Sequence, residues 1–135
     1  MRIGQLAQSV GVDTQTIRFY ERQGLLPPPG RQENSYRVYT EKHVERLAFI
    51  RRCRILDLSL AEIHELKRYQ DDPHQSCTAV NALLDDHISH VRSQITALQA
   101  LEKQLVSLRA SCNDDREVEA CGVLAGISEG SMHQQ

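Results

Sequence analysis

Residues 14–39, TQTIRFYERQGLLPPPGRQENSYRVY, carry the patterns of a helix, a proline turn and a β-hairpin in immediate succession. The helix ends at Gly24, because glycine tolerates the positive φ that closes a helix. Pro27–Pro29 exclude a helix in the next segment, since proline lacks an amide hydrogen and clashes with the preceding turn. The β-favouring residues of Tyr36–Tyr39 follow the turn-like Glu33–Ser35, and this order predicts a small hairpin, the wing.

The segment before this stretch predicts another short helix. Residues 3–10 hold apolar side chains at helical spacing, and Gly11 permits a tight turn after them. Asp13 or Thr14 then caps the next helix. Two short helices across a glycine turn are typical of a helix-turn-helix.

Two further helices are predicted after the wing. Thr40 caps a third helix that runs from Glu41 to about Leu56. Ser59 begins a fourth with the capping box Ser59-x-x-Glu62, in which the side chain of each residue bonds the backbone of the other.

A single long helix is predicted from about Ser76 to Ser111, because neither glycine nor proline interrupts these residues. Along one side of this helix, mostly apolar residues recur every seven positions, and a second set recurs three positions after the first. This pattern is a heptad repeat. A helix with one such apolar stripe needs a partner, and its own copy is the simplest one. The repeat comprises Cys77, Leu84, Val91, Leu98, Leu105 and Cys112, with Val80, His87, Gln94, Leu101 and Leu108 at the offset positions.

Cys77 and Cys112 lie on the same side of this helix, 35 residues apart. At a rise of about 1.5 Å per residue they are separated by roughly 50 Å, so they cannot share an ion within one chain. Two helices paired antiparallel about a centre near residues 94–95 would place Cys77 of one chain beside Cys112 of the other. Cys121 follows eight residues later, within reach of an intervening loop. The geometry predicts two equivalent sites per dimer, each with three thiols.

Three thiolates are soft ligands that favour thiophilic ions over Mg²⁺ or Ca²⁺. The alternative is packing, because a free cysteine often behaves as a small apolar residue. We expect that role for Cys53, which lies among apolar residues of the third helix. His87 is expected to be a core or partner-facing residue of the heptad stripe, whereas His43 and His64 are expected at the surface.

Charge is divided unevenly along the chain. Residues 1–68 contain 12 Lys and Arg against 8 Asp and Glu, whereas residues 69–135 contain 4 against 10. The basic front half suits an anionic polymer such as nucleic acid. The first residues carry no apolar run long enough for a signal peptide or a membrane helix, so we expect a cytoplasmic protein without a membrane partner. No arrangement of Ser, His or carboxylates suggests catalysis, and we do not expect an enzyme.

The helix IRFYERQGLL of residues 17–26, the prolines after it and the wing NSYRVY of residues 34–39 resemble the MerR family of transcription regulators. The resemblance covers essentially the whole chain and implies a homodimer bound to double-stranded promoter DNA. It also implies that the second helix enters the major groove, with Gln15 and Arg18 near base edges or phosphates. The other DNA contacts that it implies are those of Tyr20, Arg31, Tyr36, Arg37 and Arg54.

Within that family, residues 77–88 resemble the lead- and cadmium-responsive branch, which has one cysteine at the start of the dimer helix and two around the metal loop. The resemblance implies activation of metal-resistance or efflux genes when Pb(II) or Cd(II) binds. Hg(II) stays open because mercury sensors share the Cys-x8-Cys spacing, and Zn(II) is less favoured because residues 113–120 supply no Cys or His. Metal binding would change the distortion of an over-long promoter spacer so that RNA polymerase engages.

These patterns predict a mainly α-helical fold: a winged helix-turn-helix head, a long antiparallel coiled-coil dimerisation helix and a short C-terminal metal-binding loop. We expect the DNA-binding domain at residues 1–70, the linker and dimerisation helix at 71–111, and the loop and tail at 112–135, with a helical turn near 123–127. A metal-buffering protein without a regulatory role is the alternative from another class. An organic effector or an iron–sulfur cluster is disfavoured, because few residues follow the long helix, and because such a cluster wants four grouped cysteines whereas Cys53 lies in the head.

Overall fold

The computed structural model describes residues 1–31, 36–74, 76–115 and 117–129. It divides into two units, Met1–Leu84, called the head, and Asp85–Gln135, called the rear unit. In chain order the elements are α1 (Ile3–Val10), α2 (Thr14–Arg22), β1 (Gly30–Arg31), β2 (Arg37–Val38), α3 (Glu41–Ile55), α4 (Leu60–Gln70), α5 (Cys77–Ala110) and α6 (Gly122–Ser128), with a 3₁₀ turn at Val118–Ala120. The predicted helical fold class is confirmed; antiparallel pairing stays a prediction.

The turn between α1 and α2 follows from its glycine and its cap. Gly11 has a φ of 82°, and its N–H donates to the Ala7 carbonyl at 2.8 Å, which closes α1. Asp13 caps α2, because its carboxylate accepts the N–H of Thr16 at 2.7 Å. That hydrogen bond also lowers the pKa of Asp13. The predicted helix-turn-helix is confirmed.

The wing is a two-stranded antiparallel sheet in which Gly30 faces Val38 and Arg31 faces Arg37. The predicted turn at Glu33–Ser35 lies outside the described residues. The start of the chain extends the pairing: the Tyr39 N–H donates to the Met1 carbonyl at 2.7 Å, and the Met1 amino group donates to the Tyr39 carbonyl at 2.8 Å. The wing is therefore joined to the segment that leads into α1.

The junction of α3 and α4 is defined by local hydrogen bonds. Asp57 adopts a left-handed φ of 63°, and the Arg54 guanidinium donates to the Leu58 carbonyl at 2.8 Å across the turn. The predicted capping box is present: the Ser59 N–H donates to Glu62 at 2.8 Å, and the Glu62 N–H donates to Ser59 at 3.1 Å.

The hydrophobic core of the head lies where α1 packs against α2 and α3. Burial of each large aliphatic side chain contributes about 1.5–3 kcal/mol to folding. Cys53 belongs to this core, as predicted. Among the described residues, the largest fully buried side chains are Leu6, Ile17, Leu25, Tyr39, Leu47, Ile50, Leu58 and Ile63.

His43 corrects one expectation. Instead of lying at the surface it is only 5% exposed, because its ring bridges two backbone groups. Its Nδ1 accepts the Thr40 N–H at 3.0 Å, and its Nε2 lies 3.2 Å from the Pro27 carbonyl. The ring thus fixes the proline segment against the start of α3.

The rear unit contains most of α5, whose 34 residues confirm the predicted long helix. His87 is buried, in accord with one of its two expected roles. The predicted helical turn in the tail is present as α6, and residues 130–135 lie outside the described residues. Among the described residues, no helix combines the length and apolar character needed to cross a bilayer.

Candidate metal centre and nucleic-acid interface

Cys112 and Cys121 stand together at the two ends of the loop between α5 and α6. Cys121 is the N-cap residue of α6. The pKa of its thiol is lowered chiefly by the backbone N–H groups of Leu124 and Val123 at the start of α6, with further contributions from the Cys112 side chain and the Arg109 charge. This is the environment of a thiol that readily becomes a thiolate.

Cys112 is oriented by its own neighbours. Its thiol donates to the Asp114 carbonyl at 3.6 Å, and its carbonyl accepts a hydrogen bond from the Arg109 guanidinium at 2.7 Å. Both Cys112 and Cys121 are partly exposed. The pair is therefore accessible to an ion from solvent.

Cys77 is the first residue of α5 and is exposed. The Ser76 hydroxyl precedes it and accepts the Thr78 N–H at 3.1 Å, which supports the start of the helix. Cys77 lines a largely apolar groove of about 600 Å³ in the head, together with Cys53, Leu66 and other side chains of α3 and α4.

One chain alone does not assemble a complete site within its described ranges. Among residues 1–31, 36–74, 76–115 and 117–129, no three His, Cys, Asp or Glu side chains are grouped so that they could hold a metal ion. The Cys112–Cys121 pair nevertheless fits a thiophilic ion, because two adjacent sulfur ligands suit soft metals. The heptad pattern predicted that Cys77 of a second copy supplies a third thiol, and this stays a prediction.

The face of α2 presents the two residues expected to contact DNA bases. Gln15 and Arg18 are exposed, whereas Ile17 on the opposite face is fully buried. Tyr20 is only 8% exposed and packs beside Phe19 with ring centroids 5.9 Å apart. A packing role is thus evident for Tyr20, and its contact with DNA stays a prediction.

The wing carries the other expected DNA contacts. Arg31 and Tyr36 are exposed, and the Arg2 guanidinium lies 3.9 Å from the centroid of the Tyr36 ring. Arg54, at the end of α3, is exposed and also supports the α3–α4 turn. Sequence reasoning missed Arg2, because nothing in its local pattern places it over a residue 34 positions later.

Glu21 is a second residue that the sequence analysis missed. Its carboxylate accepts hydrogen bonds from the Arg37 guanidinium, at 2.9 Å, and from the Tyr39 hydroxyl. The pKa of Tyr39 is raised to about 12, first by burial of the phenol and then by the hydrogen bond and negative charge of Glu21. These contacts, called the Glu21 clamp, fix the wing to the helix that presents Gln15 and Arg18.

A helix-turn-helix with a wing attached to its second helix defines a DNA-binding protein. The model of the MerR HTH family of regulatory proteins matches residues 1–70, and the MerR DNA-binding model matches residues 44–108. The chain belongs to the MerR family of transcription regulators, which confirms the resemblance noted in the sequence.

Three relatives illustrate the similarity. An HTH-type transcriptional regulator, a ZntR homolog of Haemophilus influenzae, is 44% identical over 109 residues, 81% of each chain. The structure of PbrR691 from Ralstonia metallidurans CH34 in complex with lead(II) is 47% identical, with a TM-score of 0.84 over 94% of this chain and 98% of that one. The structure of MerR from Bacillus megaterium MB1 with mercury(II) is 29% identical, with a TM-score of 0.72 over 95% and 99%.

Proposed function

We propose that this chain is a metal-responsive transcription regulator that binds promoter DNA as a homodimer and activates metal-resistance or efflux genes. Its ligands would be Cys112 and Cys121 of one chain and Cys77 of a second copy. The observation that supports this most directly is the pairing of two partly exposed thiols at the start of α6.

The ion that we propose is Pb(II) or Cd(II). The similarity to PbrR691 bound to lead(II) favours this choice, as does a set of three thiolates. The mercury(II) complex of a 29% identical relative makes Hg(II) the runner-up, followed by Zn(II). When bound, the ion would join the loop of one chain to the α5 of the other.

The groove at Cys77 supports a route from the ion to the DNA-binding surface. Cys77 shares this groove with side chains of α3 and α4, so a ligand fixed at Cys77 lies against the head itself. An effector shifts a conformational equilibrium only through different affinities for its two states. Joining the loop to Cys77 would favour one position of the two heads, with which RNA polymerase then engages the distorted promoter.

The promoter contacts are assigned to the exposed polar residues of α2 and the wing. Gln15 and Arg18 would reach base edges or nearby phosphates, and the wing would contact the backbone. The Arg37 guanidinium is already paired with Glu21, so its first role would be to orient the wing. Because its target is promoter DNA, the protein would act in the cytoplasm.

The test is transcription in vitro from the promoter upstream of the chain's own gene, with Pb(II), Cd(II), Hg(II) or Zn(II). The parent should respond most strongly to Pb(II) or Cd(II). Cys77→Ser, Cys112→Ser and Cys121→Ser should each lose most of the response while still shifting the promoter fragment in a gel. Cys53→Ala is the matched control and should respond like the parent, because Cys53 is buried in the head.

A normal response in all three serine variants would exclude the thiolate site. Absence of a sequence-specific complex with the promoter would instead indicate a metal-buffering protein. Arg18→Ala separates these questions, because loss of a good base contact weakens DNA binding by about 1–3 kcal/mol without touching a thiol.

A further inference from the structure

The loop that carries Cys112 and Cys121 is closed by a contact that has no room for a side chain. A Cβ atom added at Gly122 would lie 2.2 Å from the Ser111 carbonyl oxygen and 3.0 Å from the Ser111 carbonyl carbon. Real Cβ atoms do not approach backbone this closely, so the backbone would have to move. Gly4 in α1 differs, because an added Cβ there meets nothing within 4 Å.

The backbone of Ser111 cannot easily move away from Gly122. Its N–H and its hydroxyl both donate to the Leu108 carbonyl, at 3.2 and 2.6 Å, which fixes it to the last turn of α5. The guanidinium of Arg109, in the last turn of α5, donates to the Cys112 carbonyl at 2.7 Å. The backbone on the α5 side of the loop is therefore held by three hydrogen bonds.

The position of this contact gives it a chemical consequence. Ser111 immediately precedes Cys112, and Gly122 immediately follows Cys121. The two residues that touch are thus the neighbours of the two thiols, and their separation controls the separation of the sulfur atoms. A loop closed in advance has already lost the conformational freedom that a bound ion would otherwise have to remove.

We propose that Gly122 is a positioning residue that holds the Cys112 and Cys121 thiols side by side before any ion binds. The inference rests on the proposed function only for the identity of the ion. Because the glycine acts through its neighbour, its replacement should weaken binding to the thiol pair without removing a ligand.

Phenylarsine oxide tests this directly, because its arsenic forms bonds to two neighbouring sulfurs while its oxygen leaves as water with both thiol protons. The full-length chain carrying Cys77→Ser leaves Cys112 and Cys121 as the accessible pair. In this background, competition with a small dithiol should show that Gly122→Ala binds the reagent at least tenfold more weakly. Gly4→Ala, the matched control, should bind it like the parent.

Arg109→Lys is a second variant, which keeps the positive charge near Cys121 but removes the guanidinium that bonds the Cys112 carbonyl, with a smaller expected loss of about threefold. It keeps the experiment decisive if circular dichroism shows that Gly122→Ala does not fold. Equal affinity in the parent and both variants would overturn the proposal, as would an equal loss in Gly4→Ala. The assay contains no DNA and no transcription, so its failure is distinct from a failure of the promoter test.

Discussion

The head and the rear unit bury their apolar residues to very different extents. In the head, Leu6, Ile17 and Leu47 are fully buried by the chain's own helices. In the rear unit, Leu98 is 64% exposed and Leu105 is 52% exposed, although both occupy the heptad stripe. Stripes of this size on a long helix are normally covered in a folded protein. The core of the head is complete within one chain, whereas the apolar stripe of the rear unit is exposed and is the surface that we propose a second copy covers.

This difference in burial coincides with a division between the residues expected to contact DNA and most of the thiols of the proposed metal site. The residues expected at DNA belong to the unit with its own core, and two of the three thiols of the proposed site belong to the unit whose apolar stripe is exposed. DNA contact surfaces are thus available in each chain, while a three-thiol site would exist only in the dimer.

Leu98→Glu combined with Leu105→Glu should abolish the dimer while leaving the head folded. Burial of a leucine contributes about 1.5–3 kcal/mol, and the dimer would lose this at both residues of both chains. The dimer dissociation constant should rise by at least about a thousandfold, measured by sedimentation equilibrium. All four tyrosines lie in the head, so the near-ultraviolet circular dichroism should persist while the helical signal falls.

Ile55→Glu provides the control for that experiment. Ile55 is 69% exposed, like the leucines of the stripe, but it lies in α3 of the head. Its replacement should leave the dimer unchanged. A dimer that survives the double substitution would show that the heptad stripe is not the pairing surface.

The Glu21 clamp should make the head sensitive to alkaline pH. The pKa of Tyr39 is raised to about 12, so the folded state favours the neutral phenol. Its stabilising contribution is complete below the ordinary pKa of tyrosine, near 10, and is lost as the pH rises through 12. The free energy of unfolding should fall by about 2.8 kcal/mol once the loss is complete, at about 1.4 kcal/mol for each of the two pKa units.

Denaturant unfolding at several pH values measures the slope of the free energy of unfolding against pH. The Tyr39→Phe variant should lack the contribution of the Tyr39 phenol to this slope. Tyr36→Phe is the matched control, because Tyr36 is half exposed and should leave the slope unchanged. If the free energy of unfolding fell equally with rising pH in Tyr39→Phe and in the parent, the proposed role of the clamp would be rejected.

Ser59→Ala should cause the smallest change, a loss of about 1 kcal/mol in the stability of the head. The substitution removes the hydroxyl that accepts the Glu62 N–H at the start of α4. Thermal unfolding of the head should therefore begin a few degrees lower. Ser9→Ala is the control, since the Ser9 hydroxyl only donates back to a carbonyl of its own helix and should matter little. An equal shift in both variants would show that the capping box contributes nothing specific.

Much of the fold could be predicted from the sequence because its signals are local. Ser59 with Glu62 fixed one helix start and Gly24 one helix end, as capping chemistry requires only neighbouring residues. His43 could not be predicted, because its ring meets a proline carbonyl from a distant part of the chain. Glu21 was missed for the same reason, since its partners lie 16 and 18 residues further on.

The candidate site was predictable only in part. The spacing of Cys112 and Cys121 indicated that a loop could join them, and the structure pairs them. The tight approach of Gly122 to Ser111 follows from the path of the folded loop, which no sequence pattern encodes. The contribution of Cys77 depends on a second molecule and stays a prediction.

The burial of Cys53 determines how this thiol would react with thiophilic ions and alkylating agents. It is only 5% exposed, and burial raises the pKa of its thiol, so it is a poor nucleophile in the native head. Within the head, this core thiol is thereby shielded from mercury, lead and alkylating agents, whereas the exposed thiol of Cys77 in the same unit is open to them. The same shielding makes this fourth sulfur a chemical reporter, since it becomes available for labelling only when the head opens.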